Sequence, residues 1–217
     1  MANADKPVQL DFKRDPSYKA GSTPTVVTVP RMAFLMIDGA GAPDAAPEGS
    51  AEFHEAIEAL YSVLYTIKFW DKKHPRPAGY VKFSAAPLEG LWWMKGGTAF
   101  SEARPEDWRW TMMVRVPEFV DGRLFAKVIE ACAHRKPGAS ERLAQVRLEE
   151  FTEGECVQIL HVGPYDQEQP TIERMHAFAR AHGYQPEGKH HEIYLGDPRR
   201  SAPEKLRTIL RQPVVRC

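Results

Sequence analysis

The sequence predicts an α+β fold: a strand–helix–strand–strand module used twice, with pseudo-twofold symmetry. The modules share one antiparallel sheet with helices on one side and a central ligand groove where the halves meet. Three observations carry this expectation. Apolar residues recur at helical spacing in two well-separated stretches, about 53–70 and 171–182. Each stretch follows one β-rich run and precedes two more. Short echoes align the halves, Ile37-Asp38-Gly39 with His161-Val162-Gly163 and Thr111-Met112-Met113-Val114-Arg115 with Thr208-Ile209-Leu210-Arg211. This alignment sets Glu89 opposite Glu192, and a groove between repeats is a common place for a small-molecule site.

In chain order, residues 1–24 are polar and rich in Lys, Asp, Pro and Gly, and read as an irregular arm draped over the domain and anchored by Leu10, Phe12 and Tyr18. The domain itself spans 25–217, with module one at about 25–120 and module two at about 121–217. Thr25 to Ile37 is β-rich, and Pro30 within it predicts an edge position or a bulge. A turn follows at Asp38-Gly39-Ala40-Gly41-Ala42-Pro43. Phe53, Ile57, Leu60, Leu64 and Ile67 form one helix face, with Tyr61 and Tyr65 a turn apart on its flank. Tyr80 to Met94 is extended with Pro87 near its middle, 95–106 is a polar loop, and Trp108–Val116 is a strand stopped by Pro117.

Asp121 is the expected N-cap of a helix with Leu124, Phe125, Val128, Ile129 and Cys132 inward, ended by Lys136-Pro137-Gly138. A linker to about Gln145 leads to two extended runs, Val146–Phe151 and Cys156–Val162, around Thr152-Glu153-Gly154. Ile172, Met175, Phe178 and Ala179 face inward from the next helix, which stops at Gly183. After the strand His191–Leu195, Ser201-Ala202-Pro203-Glu204 fits a capping box for a single helical turn before the last strand.

Composition narrows the function classes. Lys+Arg and Asp+Glu both number 29 in 217 residues, so no global field draws the chain onto nucleic acid or an acidic membrane. Three cysteines without a CxxC fit a reducing compartment better than a disulfide framework or a zinc knuckle. The start of the chain lacks the apolar run of a signal peptide, and no stretch approaches the roughly 18 apolar residues of a membrane span. The expectation is a cytoplasmic protein, monomeric or weakly dimeric, without direct nucleic-acid or membrane partners.

Glu192 asks for an explanation first. It stands in HHEIYL among apolar and aromatic neighbours, sharing a strand face with Tyr194, and a buried carboxylate is costly unless paired, hydrogen-bonded or protonated. Glu89 precedes Gly90 and two tryptophans and shares a face with Trp93; Gly90 could equally mark a bulge that turns it to solvent. Tyr61, Tyr65, Trp92, Trp93, Trp108, Trp110, Tyr165 and Tyr194 supply an excess of aromatics with polar handles, suited to an amphipathic cavity as well as to a core. Tyr165, after Gly163-Pro164, could simply close a turn. His190 and His191 point to opposite faces and lack a third ligand at HExxH spacing, so no metal is expected. There is no GxSxG elbow, and Gly39-Ala40-Gly41 lacks the pattern of a phosphate cradle, so no cofactor is expected either.

The stretches VTVPRMAFLMIDGAGAP, LYSVLYTIKFW, PLEGLWW, WTMMVRVPEFV, CVQILHVGPYD and HEIYLGDPRR resemble the GyrI-like small-molecule-binding family, the effector-binding domains also appended to AraC- and MerR-type regulators. The resemblance runs from about Val27 to Val214 and is nearest the free-standing branch, some of whose members are similar to hydrolases that open the cyclopropane ring of DNA-alkylating antibiotics. It implies two strand–helix–strand–strand modules and a groove lined by aromatics with acidic residues within it. Carried onto this chain, it implies Glu192 or Glu89 as the base on water and Tyr61, Tyr65 or Tyr194 as a donor to the ligand's carbonyl. Glu192, Glu89 and Tyr65 are the catalytic candidates; Tyr61, Trp93, Trp110, Met112, Tyr165 and Tyr194 are the ligand-binding ones. The expected partner is a small hydrophobic aromatic or cationic ligand, taken up either for turnover, as in antibiotic detoxification, or by a non-catalytic sensor or sequestering protein.

Overall fold

The computed structural model describes residues 9–42, 50–97, 104–135 and 140–217. The arm opens with β1 (Gln9–Leu10), then two short 3-10 turns capped by Asp11 and Asp15. Next come β2 (Thr25–Val29), β3 (Met32–Ala40), α1 (Ala51–Lys68), β4 (Lys82–Phe83), β5 (Leu88–Met94) and β6 (Trp108–Arg115). After α2 (Gly122–Arg135) and α3 (Ser140–Gln145), the second half runs β7 (Arg147–Phe151), β8 (Gly154–Val162), α4 (Gln169–Ala181), β9 (Tyr184–Pro186), β10 (His190–Tyr194) and β11 (Arg207–Arg216). The expected ends Pro43 and Lys136-Pro137-Gly138, and part of the loop 95–106, lie outside the described residues.

The sheet order is β2-β8-β11-β10-β5-β6-β3-β7, with β9 also on β11, and every pairing in this sheet is antiparallel. Read outward from the central β5–β10 pair, β5-β6-β3 mirrors β10-β11-β8. The twofold duplication is therefore built into the sheet. Its flanks are exchanged: β2 precedes β3 in the chain but pairs with β8, while β7 precedes β8 but pairs with β3. Pro30 sits at this parting. The run expected as one element, Thr25 to Ile37, is two strands at distant places in the sheet, because proline cannot donate to a ladder and the chain leaves the sheet there. The expected linker before Gln145 contains the short helix α3.

Register decides which side chains share a face. The row Ile37, Met112, Gly90, Glu192, Leu210, Ile159 crosses six strands on one face. The next row, Met36, Met113, Glu89, Ile193, Ile209, Leu160, belongs to the other. Helices α1 and α4 lie on the first face, α1 over β3 and β6 and α4 over β8 and β9. From α1, Ala56, Leu60, Val63, Leu64 and Ile67 are fully buried against Leu35, Ile37, Met112 and Val114. Each large aliphatic contributes about 1.5–3 kcal/mol by leaving water. From α4, Met175 and Ala179 close on Val157, Ile159 and Leu210. Asp121 caps α2 through Leu124 N at 2.8 Å, and Gly183 (φ 75°) ends α4, both as the sequence predicts. The helices leave the first-face side chains of the central pair between them, and the arm covers the second face.

Candidate functional site

Between α1 and α4 the central pair presents Trp92 from β5 and His190, Glu192 and Tyr194 from β10. Gly90, directly opposite Glu192, makes the arrangement possible: a Cβ there would stand 2.8 Å from Trp92 Nε1 and 3.2 Å from the Met112 sulfur. Without it the indole lies over the strand and donates to Tyr194 Oη at 3.1 Å. Tyr194 in turn donates to Glu192 Oε2 at 2.7 Å, and His190 Nε2 stands 3.5 Å from Oε1. The chain Trp92 to Tyr194 to Glu192 thus fixes Glu192 as an acceptor through Oε2. No bulge occurs at Gly90, since β5 pairs without interruption on both sides.

The chain between β8 and α4 closes over this row. After Gly163 (φ 142°) and Pro164, Tyr165 starts a 3-10 turn and sets its ring edge-on to Tyr194 with centroids 5.6 Å apart. His161 anchors the turn through Thr171 Oγ1 (3.0 Å) and the Pro164 carbonyl (3.2 Å). Glu168, at the entrance to α4, is 4% exposed, and its Oε1 is buried without a hydrogen-bond partner among the described residues. Burial, and then the charge of Glu192, push the Glu168 carboxyl up to about 9, against a weaker opposing pull from Thr208. Burial and the charges of Glu168, Glu192 and Asp197 push Tyr165 up to about 12. Burial and Glu192 raise Tyr194 well above the ordinary phenol. The site is an acidic, aromatic-lined cluster in which one carboxyl keeps its proton.

The other predicted residues divide. Tyr61 and Tyr65 stack on each other at 6.0 Å and line a surface depression of about 420 Å³ with Glu58, Ser62 and Arg135, away from Glu192. Tyr61 also feels the charges of Asp197 and Arg199 in the segment after β10, on the side where Asp197 acts on Tyr165. Trp110 and Met112 are fully buried beneath α1, where Trp110 meets Phe53 edge-on at 5.3 Å and donates to the Gly41 carbonyl. They are core rather than exposed walls. Trp93 lies on the second face, with Lys189 Nζ 3.5 Å above its ring. The sequence reading missed Glu168, weighed His190 only as a metal ligand and left Trp92 open between core and cavity.

Glu89 is the main correction. Expected across a groove from Glu192, it is paired with Ile193 on the opposite face, because a one-residue difference in register turns a side chain over. There it accepts from Tyr18 Oη at 2.7 Å and stands 3.1 Å from His191 Nε2. His191 Nδ1 is 2.9 Å from Glu153, Arg211 Nη1 is 3.1 Å from the other Glu153 oxygen, and Arg211 also holds Gln158 and the Ser17 carbonyl. Glu89, Glu153, His191 and Arg211 are each about 1% exposed at the side chain. Burial works against the charge on His191, but Glu153 and Glu89 outweigh it and hold its pKa up at about 9. Two anions and two cations therefore balance, and they clamp the arm to the sheet. Among the described residues no group of three or more His, Cys, Asp or Glu is arranged to hold a metal ion.

Comparison with known proteins decides the family. The GyrI-like small molecule binding domain matches residues 22–214. The chain belongs to the GyrI-like family. Among solved structures, a hydrolase from Listeria innocua is 38% identical, with a TM-score of 0.83 over 95% of this GyrI-like chain and 100% of that one. An uncharacterized conserved protein from Listeria innocua is 39% identical, with a TM-score of 0.86 over the same shares. The C-terminal domain of EcmrR, 11% identical with a TM-score of 0.55 over 90% of this chain and 98% of that one, shares the fold. No match was found among curated proteins. No helix among the described residues is long and apolar enough to cross a membrane.

Proposed function

We propose that this GyrI-like protein is a hydrolase that adds water to flat, hydrophobic electrophiles, opening a cyclopropane conjugated to a carbonyl as in DNA-alkylating antibiotics. The observation that carries the reading is the chain Trp92 to Tyr194 to Glu192 at 3.1 and 2.7 Å, inside an aromatic cluster beside a second carboxyl. Such a chain orients Glu192 to take a proton from water, and the surrounding low dielectric strengthens each polar contact made there. Tyr165 offers the face against which a flat ring would stack, while Trp92, packed into the core, holds Tyr194 in place. Tyr165, 37% exposed on a short turn, would have to swing aside to admit a ligand. The similarity to a hydrolase from Listeria innocua supports turnover over mere binding. A role in protecting a cytoplasm from such antibiotics, as a monomer or weak dimer without nucleic-acid contacts, belongs to the same proposal.

A passive binder of lipophilic cations is the second reading. What favours it is the pair Glu168 and Glu192, a ready counter-charge among aromatic rings. Mass spectrometry of the spiro-cyclopropyl cyclohexadienone incubated with the protein separates the two. The hydrolase reading requires gain of one water at a rate proportional to enzyme. Binding without any mass change would support the passive one.

A further inference from the structure

The proposed reaction uses Glu192 and leaves Glu168 unexplained. A buried carboxyl, Glu168, and a half-buried one, Glu192, face this groove, and the Tyr194 hydroxyl proton is committed to Glu192 Oε2 at 2.7 Å. Among the described residues, no Lys or Arg forms an ion pair with either carboxyl. The groups that face Glu168 are Glu192 and, beyond it, Tyr194 from β10, Thr208 from β11 and Tyr165 from the preceding turn. His161 of β8 is turned to Thr171 and the Pro164 carbonyl, and Asp197, in the segment after β10, adds negative charge at Tyr165. His190 stands by the far oxygen of Glu192, and burial and His190 depress His176 of α4. Apart from Thr208 Oγ1, these surroundings offer Glu168 anions and phenols. Its Oε1 has no hydrogen-bond partner among the described residues. A buried carboxyl that feels a neighbouring carboxylate charge keeps its proton.

We propose that Glu168 is the proton donor of the groove, giving its proton to the carbonyl oxygen of the substrate while Glu192 takes one from the attacking water. The assignment rests on the hydrolase reading above. The water oxygen bonds to a ring CH2, the cyclopropane C–C bond breaks, and its electron pair moves through the dienone to the carbonyl oxygen. That oxygen takes the Glu168 proton and becomes a phenol. Glu192 has gained the proton lost by water, and passing it to Glu168 restores the starting state. No oxidant, reductant or metal enters the balance. Burial and the Glu192 charge hold Glu168 up to about 9, so the acid is loaded at neutral pH.

The test uses two neutral probes on the full chain: the spiro-cyclopropyl cyclohexadienone, which becomes a hydroxyethylphenol, and a dimethyl cyclohexadienone that lacks the three-membered ring. Turnover by the wild type is expected to fall as pH rises through about 9. Glu168→Gln should lower turnover about 100-fold or more and abolish that fall, because an amide donates a hydrogen bond but does not deliver the proton. It should still bind the unreactive dienone, now without pH dependence. Wild-type turnover in Glu168→Gln, or an alkaline fall that persists in it, overturns the assignment. Suppose instead that the ring is never opened, yet wild-type binding of the unreactive dienone weakens near pH 9 and Glu168→Gln removes that weakening. The hydrolase reading then fails while Glu168 stands as donor to the ligand oxygen. PH-independent binding by the wild type overturns the donor itself. Should Glu168→Gln not fold, Glu192→Gln serves: removing the neighbouring charge that raises Glu168 must move the alkaline weakening of unreactive-dienone binding downward, and an unmoved weakening refutes the proposal.

Discussion

Glu153→Gln tests the clamp beneath the arm, and its expected effect depends on pH in a way that can be worked out. In the fold, burial opposes the charge on His191 but Glu153 and Glu89 hold its pKa up at about 9, against an ordinary value of 6.5. A raised pKa means the folded state keeps a proton that the unfolded chain releases. The stabilisation is therefore complete below 6.5 and is lost as pH rises through about 9. The difference corresponds to about 3 kcal/mol. Removing the Glu153 charge takes away the first counter-charge of His191, whose pKa then drops, and strands Arg211 as well. The variant should lose about 3–5 kcal/mol below pH 6.5, the scale for breaking a buried pair, and the gap to wild type should narrow by about 3 kcal/mol above pH 9. Glu168, whose carboxyl is also raised, tilts stability in the same direction in both proteins and cancels from the comparison. Urea unfolding on either side of this window, with unchanged m-values, is the assay. A gap equal at both pH values would refute a charged His191.

Two further outcomes follow from close packing. In Tyr18→Phe, Glu89 loses the hydroxyl at 2.7 Å, which should cost about 1–3 kcal/mol in urea unfolding and raise proteolytic cleavage within residues 9–24. Gly39→Ala should cost about 1–3 kcal/mol or more in the same assay, because a Cβ there would overlap the Trp110 indole. Wild-type stability in that variant would mean the indole is free to move.

The helices were legible because their burial is periodic. The spacing of Leu60, Leu64 and Ile67, or of Met175 and Ala179, is a local signal read one turn at a time. The repeat announced two modules in one antiparallel sheet, but not the order of its strands or the central β5–β10 pair. Nor did it set the register. The echo around Thr111 and Thr208 aligned Glu89 with Glu192, and a slip of one residue is enough to move a carboxylate through the sheet. Short echoes without a fixed turn do not specify that parity. The members of the cluster around His191 come from the arm, β5, the turn at Glu153 and β11, so their convergence carries no local sequence signal. Glu168 sits in an aperiodic turn; a carboxylate just ahead of Gln169-Pro170 at a helix entrance was the one clue. The exchange of β2 and β7 is a property of topology, and only Pro30 hinted at the break.

The proposed function comes down to whether Glu192 activates water. The direct measurement is mass-spectrometric turnover of the spiro-cyclopropyl cyclohexadienone by wild type and Glu192→Gln, with binding of the dimethyl cyclohexadienone measured in parallel. Glu192→Gln keeps the outline of the side chain at the end of the Trp92–Tyr194 chain and removes the base. Gain of one water should slow by about 100-fold or more in the variant while binding of the unreactive dienone changes little. Water addition at the wild-type rate in Glu192→Gln would contradict the account.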